Sequence, residues 1–369
     1  MNIQNNGGGI KVGEDEKKQK QLLDTIKLIS PGTPLREGLE NILMGRMGAL
    51  IVIGDRERVM KMVDGGFSID VEFSPHYLYE LSKMDGAIIL SHDIKRILYA
   101  NAQLIPSSSI PTAETGIRHR IADRVAKETG EVVISISQRR NVITLYQGYQ
   151  RYIVQDTSRI FNKANQAIQT LEKYKAVLDQ SMNHLSALEY EDLVTVYDVV
   201  TVLQRTELVM RITSEIEKFI CELGNEGRLI SMQLEELIAN VKEDGRYVIH
   251  DYNINKEIGT DGIIKEIKSM SSEELLDLSV IAKALGFDGG ITTLDKTLNP
   301  KGYRILNKIP RLPYSVIENL IKEFKSFQNI LKATIEKLDD VEGIGEVRAR
   351  AIREGLRRLQ EQIMLGRHI

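Results

Sequence analysis

The stretch "TGIRHRIADRVAKETG" (residues 115–130) reads as a helix between strands. Thr115 is placed to cap it, and Ile117, Ile121 and Val125 recur every four residues, as one apolar helical face requires. Apolar runs bounded by turn residues surround it: "GALIVIGD" (48–55), "GAIILSHD" (86–93), "RILYANAQL" (96–104), "EVVISIS" (131–137) and "NVITLYQG" (141–148). Helical spacing precedes them in "LLDTIKLI" (22–29) and "LREGLENILMGR" (35–46). Strands interleaved with helices predict an α/β domain over 21–150, with a mixed sheet flanked by helices. The unbroken run Ile88-Ile89-Leu90 predicts strands covered on both faces.

The same stretch poses a problem of charge. Arg118, His119 and Arg120 occupy the first helical turn, where the backbone already carries about half a positive charge. Three explanations compete. The side chains could form surface ion pairs with Glu114, Asp123 or Glu128, or bind nucleic acid, or surround a polyphosphate held on the N–H groups of the helix end. Three consecutive residues sweep about 200° of the helix, so one flat partner cannot meet them all. Two other features bear on the choice. Asp85 precedes Gly86-Ala87 and an apolar strand; such an acid can hold a divalent cation or take a proton, although an Asp-Gly pair is by itself an ordinary turn signal. Ser135 and Ser137 alternate along a strand, so both hydroxyls share a face. The chain has no G-x-x-x-x-G-K-S/T segment, so any nucleotide is held without a P-loop.

Beyond residue 150 the periodicity changes. Ile160, Ala164, Ala167, Leu171, Tyr174, Leu178, Met182 and Leu185 form one stripe of a long amphipathic helix. Further helices are expected over 193–220 and 229–241. "SSEELLDLSVIAKALGF" (271–287) reads as another, with Ser271 and Glu274 as a capping box. Residues 151–300 thus read as an all-α linker bundle that spaces two other domains. In 301–369, fourteen Lys and Arg against nine Asp and Glu leave +5, so the other 300 residues carry −8. Here "VEGIGEVRARAI" (341–352) places Gly343 and Gly345 in a tight turn before a new helix. Its free N–H groups, with Arg348, Arg350 and Arg353, can grip a backbone phosphate. A degenerate second hairpin is expected at "KIPRLPYSVIENLI" (308–321), carrying Arg311. The bland alternative is a helical hairpin that only packs.

The whole chain sets outer bounds. Its net charge of −3 excludes a uniformly basic nucleic-acid coat but not a local basic module. One cysteine, Cys221, excludes an internal disulfide and a cysteine-rich metal site, and suits a reducing cytoplasm. The first twenty residues read as a disordered tail, without the apolar core of a signal peptide. No apolar run is long enough to span a membrane.

"DGA" at 85–87 and "RHR" at 118–120 resemble the paired signature of the diadenylate cyclase family. The order of parts resembles the members that continue into a helical linker and a C-terminal helix-hairpin-helix domain. The resemblance covers nearly all of the chain beyond the tail. It implies condensation of two ATP molecules into cyclic di-AMP with release of two pyrophosphates, aided by Mg or Mn. It also implies an octamer with cyclase domains face to face, and branched or junction DNA bound at the C-terminus and inhibiting synthesis. Recombination proteins as partners and a nucleoid-associated cytoplasmic location follow from the same source. Carried onto this sequence, Asp85 acts on the 3′-hydroxyl or its metal. Gly86, Ala87 and Leu104 line the nucleotide pocket, with Thr115 and Gly116 at its edge. Arg118, His119 and Arg120 hold phosphates, His119 near the metal, and Ser135 and Ser137 contact the triphosphate. Ile117 and Ile121 depart from the family, which often has threonine there, and isoleucine donates no hydrogen bond. The competing expectation is a non-catalytic, nucleotide-sensing scaffold that binds DNA.

Overall fold

Strand pairing in a computed structural model places the central apolar runs side by side. The structure describes residues 21–55, 57–255 and 258–366; the expected tail lies outside them. By packing, these residues form two units. One holds the chain to Asn165 together with Glu217–Ser231, and the other holds Gln166–Ile216 and everything from Met232 on.

The first unit opens with helix α1 (21–28) and α2 (Pro34–Met44), the latter capped by the Thr33 hydroxyl on the Arg36 N–H and started by Pro34. Then follow β1 (Ala49–Ile53), α3 (Glu57–Met60), β2 (Val63–Asp64), β3 (Phe67–Glu72), α4 (Pro75–Leu81), β4 (Ala87–Leu90), β5 (Arg96–Leu104), α5 (Ile117–Thr129), β6 (Val132–Ser137), β7 (Val142–Gln147) and β8 (Gln150–Ile153). The sheet runs β2-β5-β4-β1-β6-β7-β8, with β3 also on β5. Only β1 and β4 are parallel among these pairs, so the sheet is mixed. Every residue of β1 and β4 is buried, as a doubly covered strand requires. Leu35, Leu39, Ile42 and Leu78 of α2 and α4 pack on Ile51, Ile88, Ile134 and Ile136. On the other face α5 sets Ala122, Val125 and Ala126 against Leu50, Val52, Ile89 and Val133. The two alanines let α5 lie close to the strands.

The sequence pattern did not disclose β2, β3 and β8. They are edge strands with half-exposed or alternating burial, and β3 is interrupted by a bulge near Asp70, whose φ is +43°. Ile117 departs from the expected apolar face: it is 78% exposed, while Val125 is buried.

Helices α6 (Thr157–Glu191), α7 (Val196–Leu223) and α8 (Arg228–Ile238) match the three long patterns. The buried stripe of α6 uses Ile168 where Ala167 was expected, and Tyr174 is largely exposed. After α8, Asn240 takes a left-handed φ of +68° and α9 (Val241–Tyr252) begins, followed by α10 (Thr260–Ser269). The single helix expected over 271–287 is two, α11 (Ser272–Leu276) and α12 (Leu278–Ala284). The expected Ser271–Glu274 capping box starts the first. Asp277 breaks the pattern because its carboxylate caps the second, accepting from the Ser279 N–H.

The remaining helices are α13 (Ile291–Leu294), α14 (Tyr303–Asn307), α15 (Tyr314–Phe324), α16 (Phe327–Lys332), α17 (Ile335–Asp339) and α18 (Glu346–Gly366). Their shared core of Ile305, Ile317, Leu320, Phe327, Leu338, Ala349 and Ile352 takes in Tyr190 from α6. The hairpin core is therefore continuous with the end of α6. Asp251 of α9 accepts from the Gly302 and Tyr303 N–H groups at 2.8 Å and from the Arg304 N–H at 3.0 Å, capping α14. The wholly buried Arg304 guanidinium meets Glu189 and Ser186 of α6, and the Tyr252 hydroxyl donates to Glu189 at 2.7 Å. Burial, then the charge of Glu189, pushes the Asp251 carboxyl up to about 7 against the pull of its three N–H donors.

Removing one partner of a buried pair leaves an uncompensated charge, so Arg304→Met should cost about 3–5 kcal/mol in urea unfolding. The double variant Glu189→Met/Arg304→Met should recover part of that loss. A single variant as stable as wild type would contradict this account of how the C-terminal hairpins are held.

Candidate nucleotide site and helix-hairpin-helix

Helix α5 has Gly116 as its N-cap, with no side-chain cap and no acidic residue in its first turn. Thr115 lies one residue outside and does not cap, contrary to expectation. The first intrahelical bond runs from the Arg120 N–H to the Gly116 carbonyl at 2.8 Å, so the N–H groups ahead of it have no helical acceptor. The end is thus electropositive and open, as an anion site needs.

Asp85 stands beside this end. Its carboxylate is fully exposed and lies 3.5 Å from Arg118, whose guanidinium is 40% exposed. Gly86 then turns with φ of +97°; a Cβ there would come within 2.8–3.0 Å of the Asn101 and Ala102 backbone. The ordinary-turn and functional readings of Asp85-Gly86 therefore coincide: the turn needs glycine, and it presents the acid. Gly48, at the mouth of β1, went unnoticed in the sequence. A Cβ at Gly48 would occupy the space of the Arg118 guanidinium. Its smallness seats that arginine.

None of the expected surface partners holds the Arg-His-Arg run. Glu114 pairs with Arg151 at 2.9 Å, Asp123 with Lys127 at 2.7 Å, and Glu128 accepts from the Ser107 N–H at 2.8 Å. Arg120 is exposed. His119 is different in kind. Its Nδ1 lies 2.9 Å from the Tyr146 hydroxyl, and its Nε2 is buried without a hydrogen-bond partner among the described residues. Burial holds the imidazole below its usual pKa, Glu114 raises it, and Arg140 and Arg151 lower it further. At neutral pH the run therefore reads as two cations around a neutral ring. Arg140 and Arg151 are further cations near His119 that sequence reasoning missed; "QRR" (138–140) after "ISIS" signalled Arg140, and nothing signalled Arg151.

Ser135 lies opposite Leu50 and Thr144 in the sheet, on the α5 side, and is fully buried with its Oγ unpartnered among the described residues. A second orphaned polar atom on this face is a reason to expect a ligand or water. Ser137, two residues on, shares the face but accepts from the Arg140 N–H at 3.2 Å. Ala87 and Leu104 sit in the core beneath α5, both buried.

In the second unit, Gly343 takes φ of +84°, Ile344 is buried as the anchor of the turn, and a Cβ on Gly345 would meet open space. The matching turn before α15 puts Arg311 at φ +61°, again three residues before the next helix. The two hairpins share one core, so the degenerate repeat is structural as well as sequential. The arginines are less free than expected. Arg348 donates to the Gly343 carbonyl, Arg353 to the Ala333 carbonyl, and Arg350 pairs with Glu346. Arg348 braces the turn itself and the Ile344 N–H bonds the Val341 carbonyl at 2.9 Å, so the exposed Arg311 is the more outward feature.

Comparison with known proteins follows the same division. Residues 36–151 match the family described as DisA bacterial checkpoint controller nucleotide-binding, 154–294 its linker region, and 326–355 the helix-hairpin-helix motif. The chain is 59% identical to the DNA integrity scanning protein DisA of Clostridium kluyveri over 349 residues, covering 95% of this chain and 98% of that one. It is 59% identical to that of Carboxydothermus hydrogenoformans over 346 residues, 94% and 98% of the two chains. With that of Clostridium botulinum strain Loch Maree it shares 57% over 351 residues, 95% and 99%. With a nucleotide-binding domain, a linker and a helix-hairpin-helix in this order, the chain belongs to the DNA integrity scanning protein DisA family.

Proposed function

We propose that this chain is a diadenylate cyclase that joins two ATP molecules into cyclic di-AMP and releases two pyrophosphates, and that branched DNA on its C-terminal hairpins lowers the rate. The observation that carries the reading is the first turn of α5: uncapped by any side chain, free of acid, and flanked by the Arg118–Asp85 pair and an orphaned His119 Nε2.

In this reading the triphosphate lies against the α5 N–H groups, with Arg118 and Arg120 answering its charge. Ser135 Oγ supplies a hydrogen-bonding group from the sheet. Each ribose 3′-oxygen attacks the α-phosphorus of the other ATP; that phosphorus–oxygen bond forms as the bond to pyrophosphate breaks. The 3′-hydroxyl proton goes to Asp85. Such transfers gain mainly from positioning and charge stabilisation. Among the described residues no group of three or more His, Cys, Asp or Glu gathers to cage a metal. That donor set fits Mg or Mn borne largely by phosphates, with Asp85 and His119 as protein ligands. The cation would neutralise charge on the departing pyrophosphate. One chain offers one such site, and the ring is two-fold symmetric, so two copies facing each other complete it. An octamer is the assembly that the family resemblance implies.

Three outcomes are expected. Asp85→Asn should lower cyclic di-AMP formation from ATP with Mg or Mn by about 10²-fold or more, while DNA affinity stays unchanged. A wild-type protein that binds ATP and makes no product would establish the scaffold alternative instead. Gly48→Ala should weaken binding of 3′-deoxy-ATP about tenfold in calorimetry, and Arg118→Ala by a similar factor, because both remove the seated guanidinium, with little change in melting temperature. Raising salt from about 50 to about 200 mM should weaken junction-DNA binding by the full chain about 10²-fold, for about four phosphate contacts. A flat salt response would remove the hairpins from DNA binding.

A further inference from the structure

His119 is braced from behind. Tyr146 of β7 is buried in the core under α5, among Leu50, Val52, Ala122, Val125 and Val133. Its ring meets the imidazole edge-on, with centroids 6.2 Å apart and planes at 63°, and its hydroxyl lies 2.9 Å from Nδ1. The ring thus has one fixed nitrogen, and the other, Nε2, is buried and unpartnered among the described residues. Behind Tyr146 stands the Glu114–Arg151 pair, 2.9 Å apart. A phenolic oxygen that accepts from Nδ1–H leaves the lone pair on Nε2.

We propose that Tyr146, held by Glu114 and Arg151, is a positioning residue that fixes the orientation and tautomer of His119, so that Nε2 is the atom offered to the bound nucleotide and its cation. The inference rests on the nucleotide reading above. It follows from a mismatch between packing and polarity. Phenylalanine would fill the same volume, and Glu114 and Arg151 could pair without a phenol between them and the ring. The hydroxyl instead meets His119 Nδ1, and the Glu114–Arg151 pair is near enough to act on it electrostatically. Groups behind a ligating histidine commonly set which nitrogen is free in this way.

The test is a double-variant cycle on the full chain with Tyr146→Phe and His119→Ala. Tyr146→Phe should lower kcat about 10–100-fold with KM for ATP changed less than about threefold. The double variant should fall no further than His119→Ala alone, because Tyr146 acts only through that ring. Losses that multiply would overturn the proposal and leave Tyr146 a packing residue. Glu114→Gln, which keeps an acceptor, should retain more activity than Glu114→Ala; equal losses would also count against it. If Tyr146→Phe melts well below wild type, Glu114→Ala takes its place in the cycle with His119→Ala. If wild type makes no cyclic di-AMP, the cyclase reading fails. The same cycle read by calorimetric binding of 3′-deoxy-ATP with Mn then decides the positioning role: non-additive losses support it and additive ones overturn it.

Discussion

Much of the first unit serves one electrostatic arrangement, a helix N-terminus left positive and unanswered. Ala122, Val125 and Ala126 press α5 onto the sheet, which fixes where its first turn ends up. Gly48 clears a seat for Arg118, and the tight turn at Gly86 sets Asp85 against that guanidinium. Helices ordinarily relieve such an end with a capping hydroxyl or an acid. Here Gly116 gives neither; Glu114 is committed to Arg151 and Asp123 to Lys127, and the exposed Asp85 faces the Arg118 guanidinium rather than the helix N–H groups. In the proposed reaction the cost of holding two arginines at this end would fall away on binding the triphosphate, because backbone and side chains would then face the same anion.

How much of this was legible in the sequence depended on burial. Central strands are buried on both faces and announce themselves as aliphatic runs; β1, β4 and β6 were found for that reason. Edge strands such as β3 and β8 carry little apolar signal and passed unseen. The cations of α5 stood out because they violate a local rule, and Asp85 because it precedes glycine. Gly48 and Tyr146 gave no such warning. A glycine before a strand and an aromatic within one are ordinary, and their roles exist only across distances of chain that spacing cannot measure. Asp277 misled for a local reason: its carboxylate competes for a backbone N–H, so one apparent helix became two.

In the second unit the same principle runs in reverse, with charge fully enclosed. Arg304 begins the first hairpin, yet its side chain belongs to α6 through Glu189 and Ser186, and its backbone belongs to α9 through Asp251. Buried charge of this kind adds little net stability but strongly disfavours alternatives that leave one partner alone. It therefore fixes how α14 sits on α6 and α9 more than how tightly. A hairpin pair seated this way cannot shift on α6 and α9 without leaving a buried charge unpaired.

The two isoleucines beside the site bear on its symmetry. Ile121 is partly buried against the core below α5, where a threonine would have had to find a partner for its hydroxyl. Ile117 has no such excuse, being 78% exposed at the start of the helix. Asp85, across from it in the same site, is also fully exposed. An acid that must act on a ribose and an apolar side chain that donates nothing to phosphate both look outward from one chain. The proposed reaction supplies what the acid lacks. In the proposed facing pair, the 3′-hydroxyl reaching Asp85 would come with the nucleotide of the other copy.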